Sequence, residues 1–166
     1  MQEYCNIPEG FIRELKGILI YDSAAITYED QFAHQFPKVA DSLYQFRVVP
    51  GEHSRSVPTK QKEGNFFFSP DISLSLVDMD ISSRNTWYEK FNRKNSFAVI
   101  LVSNTEMMML GNDRFPLSIT ISDAMRDDGS GNDSFQLNIY GDTILYPRLY
   151  KIVDRFKVIF FIPPLL

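Results

Sequence analysis

Residues 117–140 read "LSITISDAMRDDGSGNDSFQLNIY". In the first run Leu117, Ile119 and Ile121 alternate with Ser118, Thr120 and Ser122. In the second, Phe135, Leu137 and Ile139 alternate with Gln136, Asn138 and Tyr140. Side chains of a strand point alternately to opposite faces, so each run predicts a strand with one buried face. What joins them decides the fold. Asp128, Gly129, Gly131, Asp133 and Phe135 nearly spell the glycine–aspartate nonapeptide of calcium β-rolls. Such a roll shares each ion between stacked copies, and this chain has one copy. As an EF-hand loop, "DDGSGNDSFQLN" lacks the alternating oxygen ligands and the glutamate at position twelve. Aspartate, asparagine, glycine and serine are also the residues that turns select, because they tolerate positive φ or bond their own backbone. The segment reads as the bend of a hairpin, with no metal.

Working outward, "FAVILV" at 97–102 predicts a continuous buried strand, turned at 103–105 and returned by "EMMML" at 106–110. "DISLSLVDMD" places Ile72, Leu74 and Leu76 opposite Ser73 and Ser75, another half-buried strand. "LKGILIY" at 15–21 is a short strand by its β-branched and aromatic content. "FPKVADSLYQF" at 36–46 reads either as a short helix from Pro37 or as the lead into a strand at 44–49. "SSRNTWYEKFNRKNS" predicts a helix capped by Ser82 or Ser83, with Trp87 and Phe91 forming its structural, core-facing side. These elements predict one mainly β domain over 1–166: an antiparallel β-barrel or two-sheet sandwich with one short flanking helix.

Residues 50–64, "PGEHSRSVPTKQKEG", have Val57 as their only aliphatic side chain outside proline. Such a stretch cannot support itself by burial and predicts a polar mobile arm. Glu52, His53, Arg55, Lys60 and Lys62 are its candidate assembly residues. The C-terminal segment 147–166 carries "FKVIFFIPPLL", too short to span a membrane as a helix and read as an apolar strand stopped by Pro163 and Pro164. Glu3, Glu9, Arg13 and Glu14 interrupt any signal-like apolar run at the start.

Composition narrows the function. The chain's 44% hydrophobic and 23% charged content suits a globular protein, and 14% aromatic content suits strands and contact surfaces. A net charge of −4 gives no basic footprint for nucleic acid. The single cysteine, Cys5, excludes an internal disulfide framework. His34 and His53 stand in weak contexts, and no nucleophile elbow, zinc helix, paired-cysteine or phosphate-loop motif occurs. Asp127, Asp128 and Asp133 lie in a glycine-rich setting with no apolar pocket to split acid from base roles. Arg84, Lys90, Arg93 and Lys94 among aromatics read as the charged outer face of the helix rather than a nucleic-acid platform. Asn132-Asp133-Ser134 is a glycosylation pattern only. The expectation is a non-enzymatic protein without cofactor, whose function is to be assembled.

An ordered run of features carries a resemblance. It comprises Cys5, the strand at 15–21, the polar arm, "GNFFFSPDISLSLVDMD", "RNTWYEKFNRKNS", "FAVILVSNTEMMMLGND" and "PLSITISDAMRDDGSGNDSFQLNIYGD". Over about two thirds of the chain this resembles tail-tube-like structural proteins of phages, or of phage-derived particles, from Bacteroidetes-type hosts. The resemblance implies a β-barrel or sandwich flanked by a helix, six copies closing into a ring, and rings stacking into a tube that conducts DNA without reading it. It implies a virion tail location, assembly in the bacterial host cytoplasm, and contacts with other tail proteins. The arm at 50–64 would reach an adjacent subunit, and Asp127, Asp128 and Asp133 would lie on a loop at the ring edge. The long C-terminal extension departs from the pattern and leaves a tail terminator, a neck adaptor or a baseplate-hub component open. The alternative from another class is a monomeric β-sandwich module binding glycan or calcium.

Overall fold

The computed structural model describes residues 15–48, 53–77, 81–104, 106–123 and 134–151. The strands are β1 (Leu15–Asp22), β2 (Tyr44–Arg47), β3 (His53–Ser56), β4 (Thr59–Lys62), β5 (Asn65–Phe68), β6 (Asp71–Val77), β7 (Arg93–Ser103), β8 (Glu106–Leu110), β9 (Leu117–Asp123), β10 (Ser134–Tyr140) and β11 (Arg148–Lys151). The helices are α1 (Tyr28–Phe32) and α2 (Ile81–Lys90), with single 3-10 turns at Ser23–Ala25 and Val39–Asp41. The mainly β, antiparallel character read from the alternating segments holds.

The two strands read within 117–140 are paired. β9 and β10 pair antiparallel, Leu137 opposite Ile121 and Ile139 opposite Ile119. β10 pairs on its other edge with β6, Leu137 opposite Leu74. The connecting residues, with Asp127, Asp128 and Asp133, lie outside the described residues.

β7 organises everything else. Val99 pairs with Ile20 of β1 on one edge and with Leu110 of β8 on the other. Phe97 pairs with Asp22 of β1 and, across the strand, with Leu117 of β9. β8 and β9 therefore lie end to end along one edge of β7. A register shift between Arg93 and Phe97 marks where β7 passes from one sheet leaf into the other, the usual role of a bulge at a sheet corner. One leaf runs β2-β1-β7-β8-β11 and the other β7-β9-β10-β6-β3. The described strands do not close into a barrel, so the two-leaved sandwich is the form taken.

Two cores follow from this bend. Between the leaves lie Ile18, Ile20, Val99, Leu101 and Leu110 from one side and Ile72, Leu74, Ile119, Leu137 and Ile139 from the other, all buried. The outer face of the first leaf buries Leu19, Tyr21, Ala98, Ile100, Val102 and Met109 under Ile26, Phe36 and Val39 of the 23–43 segment. β1 and β7 are thus covered on both faces, which is why they read as unbroken apolar runs. Burial of each such side chain contributes about 1.5–3 kcal/mol.

α2 closes one side of the inner core. Phe91 is fully buried, with its ring centroid 5.0 Å from that of Tyr44 and 5.9 Å from that of Phe97. Trp87 meets Phe46 edge-on at 4.9 Å. The expected serine cap is corrected: the helix begins at Ile81, so Ser82 and Ser83 fall inside its first turn, and the Ser82 carbonyl accepts from the Thr86 hydroxyl at 3.0 Å. Arg93 and Lys94 belong to β7, not to the helix face. Asn92 stops the helix at a left-handed φ of 49°, and its side-chain oxygen accepts from the Ile121 amide at 3.0 Å.

The polar arm is also corrected. His53–Ser56 is a strand on the edge of the second leaf, His53 opposite Leu74 and Arg55 opposite Ile72. Thr59–Lys62 and Asn65–Phe68 form a separate two-stranded hairpin. Its turn residues, Glu63 (φ 52°) and Gly64 (φ 83°), both have positive φ, the signature of the tight hairpin turn that matches strand twist. Pairing with β6 supplies backbone partners that the polar side chains of 53–56 gave no hint of. Of the C-terminal extension, only Arg148–Lys151 is described as strand, on β8; the apolar strand expected at 156–166 lies outside the described residues.

Candidate functional site

The β4–β5 hairpin stands off the sandwich. Every residue of β4 is exposed, and in β5 Phe67 and Phe68 are half-buried while Phe66 is 62% exposed. The hairpin is fastened at its base: the amides of Phe68 and Thr143 each donate to the other's carbonyl at 2.8 Å. Phe68 packs edge-on against Tyr146 at 5.5 Å, and Lys60 Nζ donates to Ser69 Oγ at 2.9 Å.

Between the hairpin and the 142–144 segment lies a cleft of about 570 Å³. Phe66, Phe67, Phe115 and Ile144 make its apolar floor, and Lys62, Glu63, Asn65 and Asp142 its polar rim. Thr143 also lines it, and its hydroxyl is buried without a hydrogen-bond partner. Ile144 is 59% exposed, and Tyr146, 58% exposed, extends the apolar surface beyond the cleft. Phe66, Ile144 and Tyr146 are large apolar groups facing water, the composition that marks contact surfaces.

The cleft is positioned by a polar clamp. Asn112 and Gln31 are fully buried, and Asn112 Nδ2 donates to Gln31 Oε1 at 2.5 Å. Asn112 Oδ1 accepts from the amides of Arg114 and Phe115 at 2.9 and 2.8 Å. Asp113 Oδ1 accepts from the Tyr28 amide at 2.7 Å, Arg114 pairs with Glu29, and the Arg114 guanidinium lies over the Tyr28 ring at 4.7 Å. This sets the loop that delivers Phe115 to the cleft.

Of the residues singled out from sequence, Lys62 lines the cleft. Lys60 is on the same hairpin, and His53 and Arg55 lie on edge strand β3. Glu52 lies outside the described residues, with the three aspartates. Trp87 and Phe91 sit in the inner core, away from this surface. The Gln31–Asn112 pair and the cleft were missed. The hairpin had a signal, the Glu63-Gly64 dipeptide between two four-residue flanks. Among the described residues no group of three or more His, Cys, Asp or Glu is placed to hold a metal ion, and no helix is long and apolar enough to cross a membrane. Comparison with known proteins found no matching family model, no matching curated protein and no matching solved structure.

Proposed function

We propose that the protein is a non-enzymatic structural component of a phage-type tail that assembles into rings, six copies closing around a channel that passes DNA. The observation that carries this reading is the open sandwich: among the described residues, β2, β3 and β11 each have a strand neighbour on one side only. Exposed strand edges invite pairing, and closing sheets between subunits is one way to satisfy them. The projecting hairpin and its exposed aromatic surface support the same reading, since they offer a grip on an adjacent copy. The long C-terminal segment keeps a tail terminator, a neck adaptor or a baseplate-hub component within the proposal. Light scattering behind size exclusion, with negative-stain imaging, tests it: rings are expected, and a strict monomer at high concentration refutes it. A monomeric glycan-binding module is the second reading, favoured by the aromatic-floored cleft. It requires a monomer whose glycan binding is lost in Phe66→Ala.

A further inference from the structure

We propose that the cleft beside the β4–β5 hairpin receives the apolar C-terminal segment 156–166, "FKVIFFIPPLL", of a neighbouring copy. This rests on the ring reading above and names the contact that would link its subunits. The cleft volume of about 570 Å³ falls in the range of pockets that enclose a small ligand, room for several apolar side chains. Its floor is aromatic and aliphatic, and the segment offers Phe156, Phe160, Phe161 and Ile162. The charged residues of the rim are two carboxylates, Glu63 and Asp142, against one ammonium, Lys62; the only charged side chain of the segment is Lys157. Pro163 and Pro164 cannot donate ladder hydrogen bonds, so their end of the segment is seated by side chains in a groove rather than as an added central strand.

The polarity of β11 favours a second copy as the occupant. Arg148 lies opposite Met109 and Lys151 opposite Glu106. β8 runs from Glu106 toward Leu110, and the chain continues to Phe115 at the cleft. β11 therefore ends beside Glu106, at the end of β8 remote from Phe115 and the cleft. Segment of one copy into cleft of the next is a heterologous contact, the kind that closes into rings when the rotation allows.

Photo-crosslinking of the full chain tests this, with Phe66 replaced by p-benzoylphenylalanine, an aromatic at an exposed position. Unlabelled and heavy-nitrogen-labelled proteins are mixed, assembled and irradiated, and linked peptides are read by mass spectrometry. The expected product joins residue 66 to a peptide within 152–166, with light–heavy pairs as frequent as same-isotope pairs. Same-isotope links alone mean that each cleft holds its own tail and overturn the proposal, as do links to any other segment or none. A mixing experiment is independent: Phe66→Asp and Phe160→Asp chains should each lose assembly, and together form only a one-to-one dimer through the single intact cleft and tail. Assembly that survives in both variants overturns tail docking and leaves the ring reading standing. A wild-type chain that is strictly monomeric overturns both.

Discussion

Phe91 joins α2 to both leaves, and its removal can be quantified. The side chain is fully buried, its ring contacts those of Tyr44, Phe46, Trp87 and Phe97 at centroid separations of 5.0–6.4 Å, and its amide donates to the Trp87 carbonyl at 2.8 Å. Truncating a buried phenylalanine to alanine typically destabilises by about 3–5 kcal/mol, the lost transfer energy plus the cavity left behind. Around Phe91 four ring neighbours belong to three different elements, so the site cannot collapse by moving one side chain, and the upper half of that range is expected. At a urea sensitivity of about 2 kcal/mol per molar, the unfolding midpoint of Phe91→Ala should fall by roughly 2 M. Trp87, the only tryptophan, packs against the same cluster and reports its loss by fluorescence. Far-UV circular dichroism at the same protein concentration checks that both probes report one transition. Phe91→Leu, which keeps most of the volume, should shift the midpoint by less than half as much. A shift below about 0.5 M for Phe91→Ala would refute the assignment of Phe91 as the link between helix and leaves.

Three further outcomes follow from the polar clamp, the turns and a buried phenol. Asn112→Ala strands the buried Gln31 Oε1 and removes the acceptor of the part-buried Arg114 and Phe115 amides; one unsatisfied buried group costs about 1–3 kcal/mol, so a calorimetric Tm lower by roughly 2–12 °C is expected. Gly111→Ala should be far more damaging than Gly64→Ala in the same assay. Both have positive φ, but a Cβ at 111 would stand 2.9 Å from Leu117 Cγ and 3.1 Å from the Phe97 carbonyl, whereas at 64 it meets nothing within 4 Å. The Tyr21 hydroxyl is pushed up to about 12, first by burial and then by the nearby Asp41 carboxylate. Between pH 10 and 12 the unfolded chain releases this proton while the folded one keeps it, so stability declines with rising pH across that window, by up to about 3 kcal/mol. Alkaline urea titrations should show a shallower decline for Tyr21→Phe; an identical slope would contradict the assignment.

How much of this was legible depends on where the instruction for each element resides. β6, β9 and β10 carry their burial in their own period-two alternation, and the structure pairs Leu74, Leu137 and Ile121 as that pattern requires. β7 and β8 were visible as apolar runs, but the sharing of β7 by two leaves was not, because it depends on which strands arrive at its edges. β3 was invisible for a related reason: His53, Ser54, Arg55 and Ser56 have no strand pattern and are strand because β6 offers a backbone. The clamp of Gln31 on Asn112 joins residues on different elements, and neither neighbourhood carries a motif. The cleft is further removed, since Phe66, Phe115 and Ile144 come from three distant segments brought together by the fold.

The pairing of β1 with β7 also constrains how the chain is made. Ile18 waits for Leu101, and Ile20 for Val99, roughly eighty residues downstream, so this contact is strongly non-local. At about 5–20 residues per second on the ribosome, β1 exists for roughly 4–16 s before its partner has been synthesised. During that interval both of its faces, Ile18 and Ile20 on one side and Leu19 and Tyr21 on the other, lack the cores that later enclose them. The nascent chain thus presents a two-sided apolar strand from the time β1 emerges until β7 follows it, a natural target for chaperones that hold extended hydrophobic segments.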